Sequence, residues 1–126
     1  MAAGLTLDAG ALRAIDRGDR ATTLLVARAL DRQEVVNVPA TALAQVLHNP
    51  SRQALLMRFL RRPLTPTVAL DRAGASAVGQ FLARTGTADV ADAHVVACAQ
   101  QAGQPIVTSD PDDLHRLDPT ITLIPC

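Results

Sequence analysis

Residues 87–113 read T-A-D-V-A-D-A-H-V-V-A-C-A-Q-Q-A-G-Q-P-I-V-T-S-D-P-D-D. Val90, Ala91, Ala93, Val95, Val96, Ala97, Cys98 and Ala99 leave this stretch almost without a polar face. The helix predicted from Thr87 to Ala102 therefore belongs inside a core. Thr87 is the expected N-cap, Gly103 ends the helix, Pro105 bars its continuation, and Ile106–Thr108 reads as a short buried strand. Asp92 resists that reading. It falls on the stripe of Ala88, Val95, Val96 and Ala99, and a helix starting at Thr87 places it beyond the turn where capping would explain it. Burying even an uncharged polar group without a partner costs on the order of 2–7 kcal/mol. The chain contains no Lys, and the Arg residues nearest in sequence are Arg84 and Arg116. Asp110, Asp112 and Asp113 then follow the strand. Acids converging without nearby cations point to a bound metal ion.

Outward from this stretch, strands and helices alternate. Strands are predicted at Leu5–Leu7, Glu34–Val38, Ile106–Thr108 and Ile121–Ile124, and Val68–Leu70 reads as either a small strand or an extended linker. Helices are predicted at 9–16, 20–30, 41–48, 51–60 (capped by Ser51) and 72–84 (capped by Asp71), with a short turn or helix at 111–117. The alternation predicts an α/β fold with a parallel sheet covered on both faces. In such a fold each helix begins at the sheet edge where the strands end. Asp8 ends the first strand and Asp110 follows a later one. Asp89 and Asp92 open the helix before that strand, and Gln45 lies just over one turn into the helix after the second. All five are expected at one edge, where open α/β sheets bind ligands.

The chain of 126 residues is expected to form one domain, residues 1–126, long enough to bury roughly two thirds of its unfolded surface. No apolar run reaches the roughly 18–20 residues of a membrane span, and the first residues lack the basic and apolar regions of a leader. No membrane association is expected, and the cytoplasm is the expected location. Cys98 and Cys126 form neither a ligand spacing nor a disulfide framework. The net charge of zero predicts no polyanion binding by itself. Its distribution is uneven, with six acids between Asp89 and Asp118 and Arg52, Arg58, Arg61 and Arg62 clustered on the 51–60 segment and just beyond it. With no Trp or Tyr and two Phe, the chain is poor in the aromatics that base-stacking platforms usually need, so nucleic acid would be held by charge and shape. Arg58, Arg61 and Arg62 are the candidate RNA contacts, although such a helix most often carries a solvated basic face.

Each acid also has a plainer reading. Asp8 and Asp110 can cap the helices that follow them, Asp89 suits a helix N-terminus, Asp112 suits solvent, and His94 suits a satisfied core or surface position. No Ser stands in a recognisable nucleophilic triad.

The segments L-T-L-D-A-G-A-L (5–12), V-P-A-T-A-L-A-Q-V (38–46), D-V-A-D-A-H-V-V-A-C-A (89–99) and V-T-S-D-P-D-D-L (107–114) together resemble PIN-domain proteins, and within them the VapC-type toxins of bacterial toxin–antitoxin pairs. The resemblance runs nearly end to end. It implies a three-layer α/β/α sandwich around a parallel sheet of about five strands, and an Mg²⁺- or Mn²⁺-dependent endoribonuclease acting through a metal-activated water. Asp8, Asp92 and Asp110 match the family's metal-holding acids, and Asp113 a further acid near the site, giving Asp8, Asp92, Asp110 and Asp113 as the catalytic set. Gln45 stands where the family usually has Glu; with Asp89 it is assigned a supporting role. The implied partners are a VapB-like antitoxin, an RNA substrate and a second copy in a homodimer.

The chemistry suits the residues. Phosphodiester hydrolysis needs an activated water, in-line approach and charge neutralisation, which divalent cations in oxygen-rich sites supply. A phosphoaspartate enzyme is the first rival, but those families generally use a Lys that this chain lacks. The second is a catalytically weak PIN-like RNA- or protein-binding module, which the neutral Gln45 keeps open.

Overall fold

The computed structural model describes residues 3–126; Met1 and Ala2, at the start of the stretch read for a leader, lie outside it. Five strands, β1 (Gly4–Leu7), β2 (Val35–Pro39), β3 (Thr67–Val68), β4 (Ile106–Thr108) and β5 (Leu123–Pro125), form one sheet in the order β3-β2-β1-β4-β5. Every pairing is parallel, with Leu5 opposite Val36, Leu7 opposite Val107 and Val107 opposite Ile124. The helices are α1 (Ala9–Asp16), α2 (Arg20–Asp31), α3 (Ala40–Val46), α4 (Ala54–Leu60), α5 (Arg72–Thr85), α6 (Val90–Ala102) and α7 (Pro111–Leu117), with a 3-10 turn at Pro50–Arg52. Helix α1 packs with α2 and α4, whereas α5, α6 and α7 pack with one another; α3 touches both α1 and α6. The result is an α/β/α sandwich of the PIN-like kind expected from the sequence.

The core is continuous across the layers. Leu7, Leu12, Val36, Val38, Leu56, Val95, Val96, Ile106 and Val107 are fully buried, each worth roughly 1.5–3 kcal/mol relative to an exposed side chain. Seven of the thirteen residues of α6 are buried, as an all-apolar helix requires. Gly103 closes α6 at φ +66°, and Gly86 closes α5 at φ +71°, left-handed positions that favour glycine. Asp71 caps α5 as expected, its carboxylate accepting from the Gly74 N–H at 2.8 Å. Among the described residues every buried side-chain nitrogen and oxygen has a hydrogen-bond partner, and no helix is long and apolar enough to cross a membrane.

Several local expectations need correction. Helix α6 starts at Val90, not Thr87. Asp89 is its N-cap, accepting from the Asp92 N–H at 2.9 Å, while Thr87 Oγ1 accepts from the Asp89 N–H at 3.2 Å. Asp92 therefore lies in the first turn. Ser51 caps no α-helix; its hydroxyl donates to Asn49 in a 3-10 turn, and α4 begins at Ala54. The buried Gln53 organises this corner: Oε1 accepts from the His48 and Asn49 N–H groups, and Nε2 donates to the Val46 carbonyl and Asp16. Helix α3 stops at Val46 rather than His48. Strands β2, β3 and β5 are offset by one or two residues at their ends from the predicted spans, because pairing to a neighbour sets them.

Candidate functional site

Strand β1 pairs with β2 on one side and β4 on the other. The chain leaves β1 in opposite directions across the sheet, so the C-terminal ends of β1 and β4 form a topological switch point, where α/β sheets open a crevice. Asp8 follows β1 there and Asp110 lies two residues beyond β4. Gly10 permits their approach: a Cβ on it would lie 2.8 Å from Ser109 Cβ and 3.3 Å from Ser109 N. The first turn of α1 and the Ser109–Asp110 segment can touch only because residue 10 has no side chain.

Asp8 is buried, and Oδ1 accepts from the Ala11 N–H at 2.8 Å. Its capping role is thus real. Burial nevertheless raises its pKa above the ordinary carboxylate value, against hydrogen bonds from Thr108, Ala11 and Gly10 and the charge of Arg13. Asp92 is shifted furthest. Burial first, then the charges of Asp89, Asp113 and Asp8, push it up to about 7. An acid in a first helical turn normally gains from the helix dipole; here desolvation and three like charges outweigh it. Asp110 is exposed and makes no side-chain cap bond to α7, contrary to its plainer reading. Its pKa is raised chiefly by a hydrogen bond with Asp113, then by desolvation and the charges of Asp113 and Asp112. Asp113 thus borders both Asp92 and Asp110, and Asp92 borders Asp8 and Asp89. The five carboxylates form one electrostatically linked set. Among the described residues no Arg or His forms an ion pair with Asp8, Asp92 or Asp110.

A cavity of about 410 Å³ opens between the α5–α6 turn and α7, with Asp89, Asp92 and Asp113 in its walls and Arg116 at its side. Arg116 was not among the sequence candidates. Its i,i+3 spacing from Asp113 was the available signal, and the two pair at 3.5 Å. Gln45 is exposed near the end of α3 and makes no hydrogen bond to these acids. Its helix nonetheless packs between α1 and α6, the two helices that carry the acids. His94 is a satisfied core residue. Its Nδ1 lies 2.8 Å from Thr41 Oγ1, tying α6 to α3, and burial lowers its pKa. Arg58 and Arg62 are not gathered with the acids; they flank an apolar groove of about 680 Å³ between α2 and α4, together with Leu24, Leu55 and Phe59. Arg61 is exposed next to that helix. Cys98 is buried with its thiol pushed up to about 11, Cys126 is exposed, and both are free.

The donor set is all carboxylate oxygen, the chemistry that suits hard cations such as Mg²⁺ and Mn²⁺. Its negative charge, of which among the described residues only Asp113 is paired with a cationic side chain, is what such an ion neutralises. Among the described residues no three His, Cys, Asp or Glu side chains stand close enough to hold an ion as they are placed. The fit is therefore one of donor chemistry and electrostatics rather than of a preformed cage.

In overall structure the chain is similar to VapBC2 from Rickettsia felis bound to a DNA fragment from its promoter, with a TM-score of 0.72 at 14% identity over 97% of this chain and 98% of that one. It is also similar to FitAcB from Neisseria gonorrhoeae, TM-score 0.62 at 20% identity over 95% and 96% of the two chains. FitAB bound to the IR36 DNA fragment gives 0.62 at 17% identity over 96% and 94%. No curated protein matches the chain by sequence. The PIN domain family matches residues 5–118, a span that contains both strand-end acids, the acid-bearing start of α6 and all of α7, and the chain belongs to that family.

Proposed function

We propose that this protein is a divalent-metal-dependent endoribonuclease, the VapC-type toxin of a toxin–antitoxin pair, acting as one domain over residues 1–126. PIN domains are generally nucleases, hydrolases of phosphodiester bonds that typically use divalent ions. The observation that carries the reading is the linked set of acids at the switch point of a PIN fold, with Asp92 held near pKa 7 by burial and by its acidic neighbours. Asp8, Asp92 and Asp110 would hold Mg²⁺ or Mn²⁺. When bound, the cation supplies an activated water and offsets charge on the scissile phosphate and leaving oxygen. Asp113 borders Asp92 and Asp110 and is suited to orient water and accept its proton. Asp89 fixes the start of α6 and so the height of Asp92, and Gln45 supports the site from α3. Low-aromatic composition is consistent with single-stranded RNA held by its backbone.

The structural neighbours include VapBC2 and FitAB, which supports an antitoxin as partner here. We assign its contact to the groove between α2 and α4. Leu24 is 48% exposed and Leu55 43% exposed, and Arg20, Arg58 and Arg62 rim them, an arrangement suited to an apolar helix with acidic flanks. A homodimer is proposed as well, and sedimentation over a wide concentration range tests it: monomer throughout would reject it. The nuclease reading is tested by incubating defined RNAs with purified protein in Mg²⁺, in Mn²⁺ and in excess chelator. Cleavage that needs the ion supports the reading; cleavage undiminished by chelator overturns it.

A further inference from the structure

The 410 Å³ cavity poses a charge problem for any nucleic acid. Asp89, Asp92 and Asp113 stand in its walls, and a phosphodiester entering it meets negative charge on several sides. One cationic side chain lines it, Arg116 of α7. The tie holding that side chain is weak: its Nη1 lies 3.5 Å from Asp113 Oδ1, with the two side chains 77% and 44% exposed, and such solvated pairs contribute little. Other arginines have other surroundings. Arg84 stacks over the Phe81 ring at 4.9 Å, and Arg58 and Arg62 border the α2–α4 groove. A guanidinium presents five donors in a planar fork that matches phosphate oxygens, and one long contact to Asp113 leaves most of them free.

We propose that Arg116 is a substrate-binding residue of this site, exchanging Asp113 for a phosphate of the RNA backbone beside the bond to be cleaved. The inference rests on the ribonuclease reading above and adds a residue to it. Arg116 offsets part of the wall's repulsion as the strand enters, and its departure from Asp113 leaves that carboxylate free to face Asp92 and Asp110. The contact is to backbone, so it strengthens binding without selecting a sequence.

The test is fluorescence anisotropy of a labelled single-stranded RNA of mixed sequence, in chelator so that nothing is cleaved, across a salt series. Wild type, Arg116→Gln and Arg116→Lys are compared, each with its melting curve. Arg116→Gln is expected to bind about tenfold more weakly, with the slope of log affinity against log salt reduced by about 0.7 for one lost single-strand phosphate contact. Arg116→Lys keeps the charge without the fork and should retain the slope with intermediate affinity. Mn²⁺ affinity, read by the ion's paramagnetic resonance, should not fall in Arg116→Gln, and KM for RNA should rise more than kcat drops. An unchanged salt slope in a folded Arg116→Gln protein overturns the proposal. So does a fall in Mn²⁺ affinity with RNA binding intact, which would make Arg116 a positioning residue for Asp113. A wild type that binds RNA with the expected slope yet never cleaves it overturns the nuclease reading and leaves the Arg116 contact standing.

Discussion

Replacing Asp92 by Asn should make the metal-free protein more stable at pH 8 and clearly less so at pH 5. In the fold the Asp92 carboxyl is pushed up from 3.8 to about 7, first by burial and then by Asp89, Asp113 and Asp8. The folded protein thus binds a proton that the unfolded chain releases at about pH 4. Linkage then makes stability fall as pH rises between those two values, with the full penalty present above about 7. The shift corresponds to a ceiling of roughly 4 kcal/mol. Asp92 is only partly buried, and screening within an open, charged cavity reduces this to about 1–2 kcal/mol. Loss of the favourable carboxylate–dipole interaction in the first turn subtracts about 0.3–1 kcal/mol. A net gain of about 1 kcal/mol should raise the melting temperature by about 3–5 °C in chelator at pH 8. At pH 5 the folded wild-type side chain is mostly neutral, the Asn amide can replace the protonated carboxyl in its hydrogen bond with Asp89, and less than about half of the penalty remains because the unfolded carboxyl is still ionised. Asp8 and Asp110 are shifted in the same direction and are common to both proteins, so the difference reports Asp92 together with the relief its neutralisation gives the acids linked to it. Urea unfolding of the two proteins at both pH values is the assay. A difference in stability that is the same at pH 5 and pH 8 would refute the reasoning.

Gly10→Ala should push the Ser109–Asp110 segment away from Asp8, since the new Cβ would overlap Ser109. Overpacking of this kind typically costs about 1–3 kcal/mol, and Mn²⁺ titration should show weaker binding in a still-folded protein. Gln45→Glu, on the helix between α1 and α6, should tighten Mn²⁺ binding; about tenfold in calorimetry corresponds to a gain of about 1.4 kcal/mol, and equal affinities would put residue 45 outside the site. Leu24→Asp and Leu55→Asp, at half-exposed positions of the α2–α4 groove, should abolish co-purification with the proposed antitoxin partner while leaving melting within a few degrees of wild type; retained complex would move the partner to another face.

The sheet and the acids at its edge were legible because they are written locally. Short apolar runs mark the strands, and an acid directly after a strand marks the edge to which it points. The start of α6 was misjudged because Thr87 and Asp89 are both good caps two residues apart. The fold uses the second for the helix and the first to hold it. That two-residue shift brings Asp92 into the first turn, and only the surrounding acids and burial keep it from being an ordinary dipole-stabilised carboxylate. Gln104 carried no signal at all. It follows a helix-ending glycine and reads as loop, yet its amide accepts from Thr6 and Asn37 and donates to the Ala3 and Val35 carbonyls at the opposite end of the sheet. Partners so far away in sequence cannot be seen in any window. Arg116 left only its i,i+3 spacing from Asp113 as a local signal; that it lines a cavity with the α5–α6 turn, and that an apolar groove places Arg58 and Arg62 away from the acids, depends on packing between distant elements.

The central claim is that the carboxylates at the β1–β4 switch point make RNA hydrolysis depend on a divalent cation. Its most direct test is the initial rate of cleavage of one RNA as a function of free Mn²⁺, for wild type and Asp92→Asn side by side, with both proteins shown to be folded. The account predicts a wild-type rate that rises from zero and saturates, and no cleavage by the Asn variant at any concentration. A wild-type rate independent of Mn²⁺, or an Asn variant that follows the wild-type curve, would contradict it.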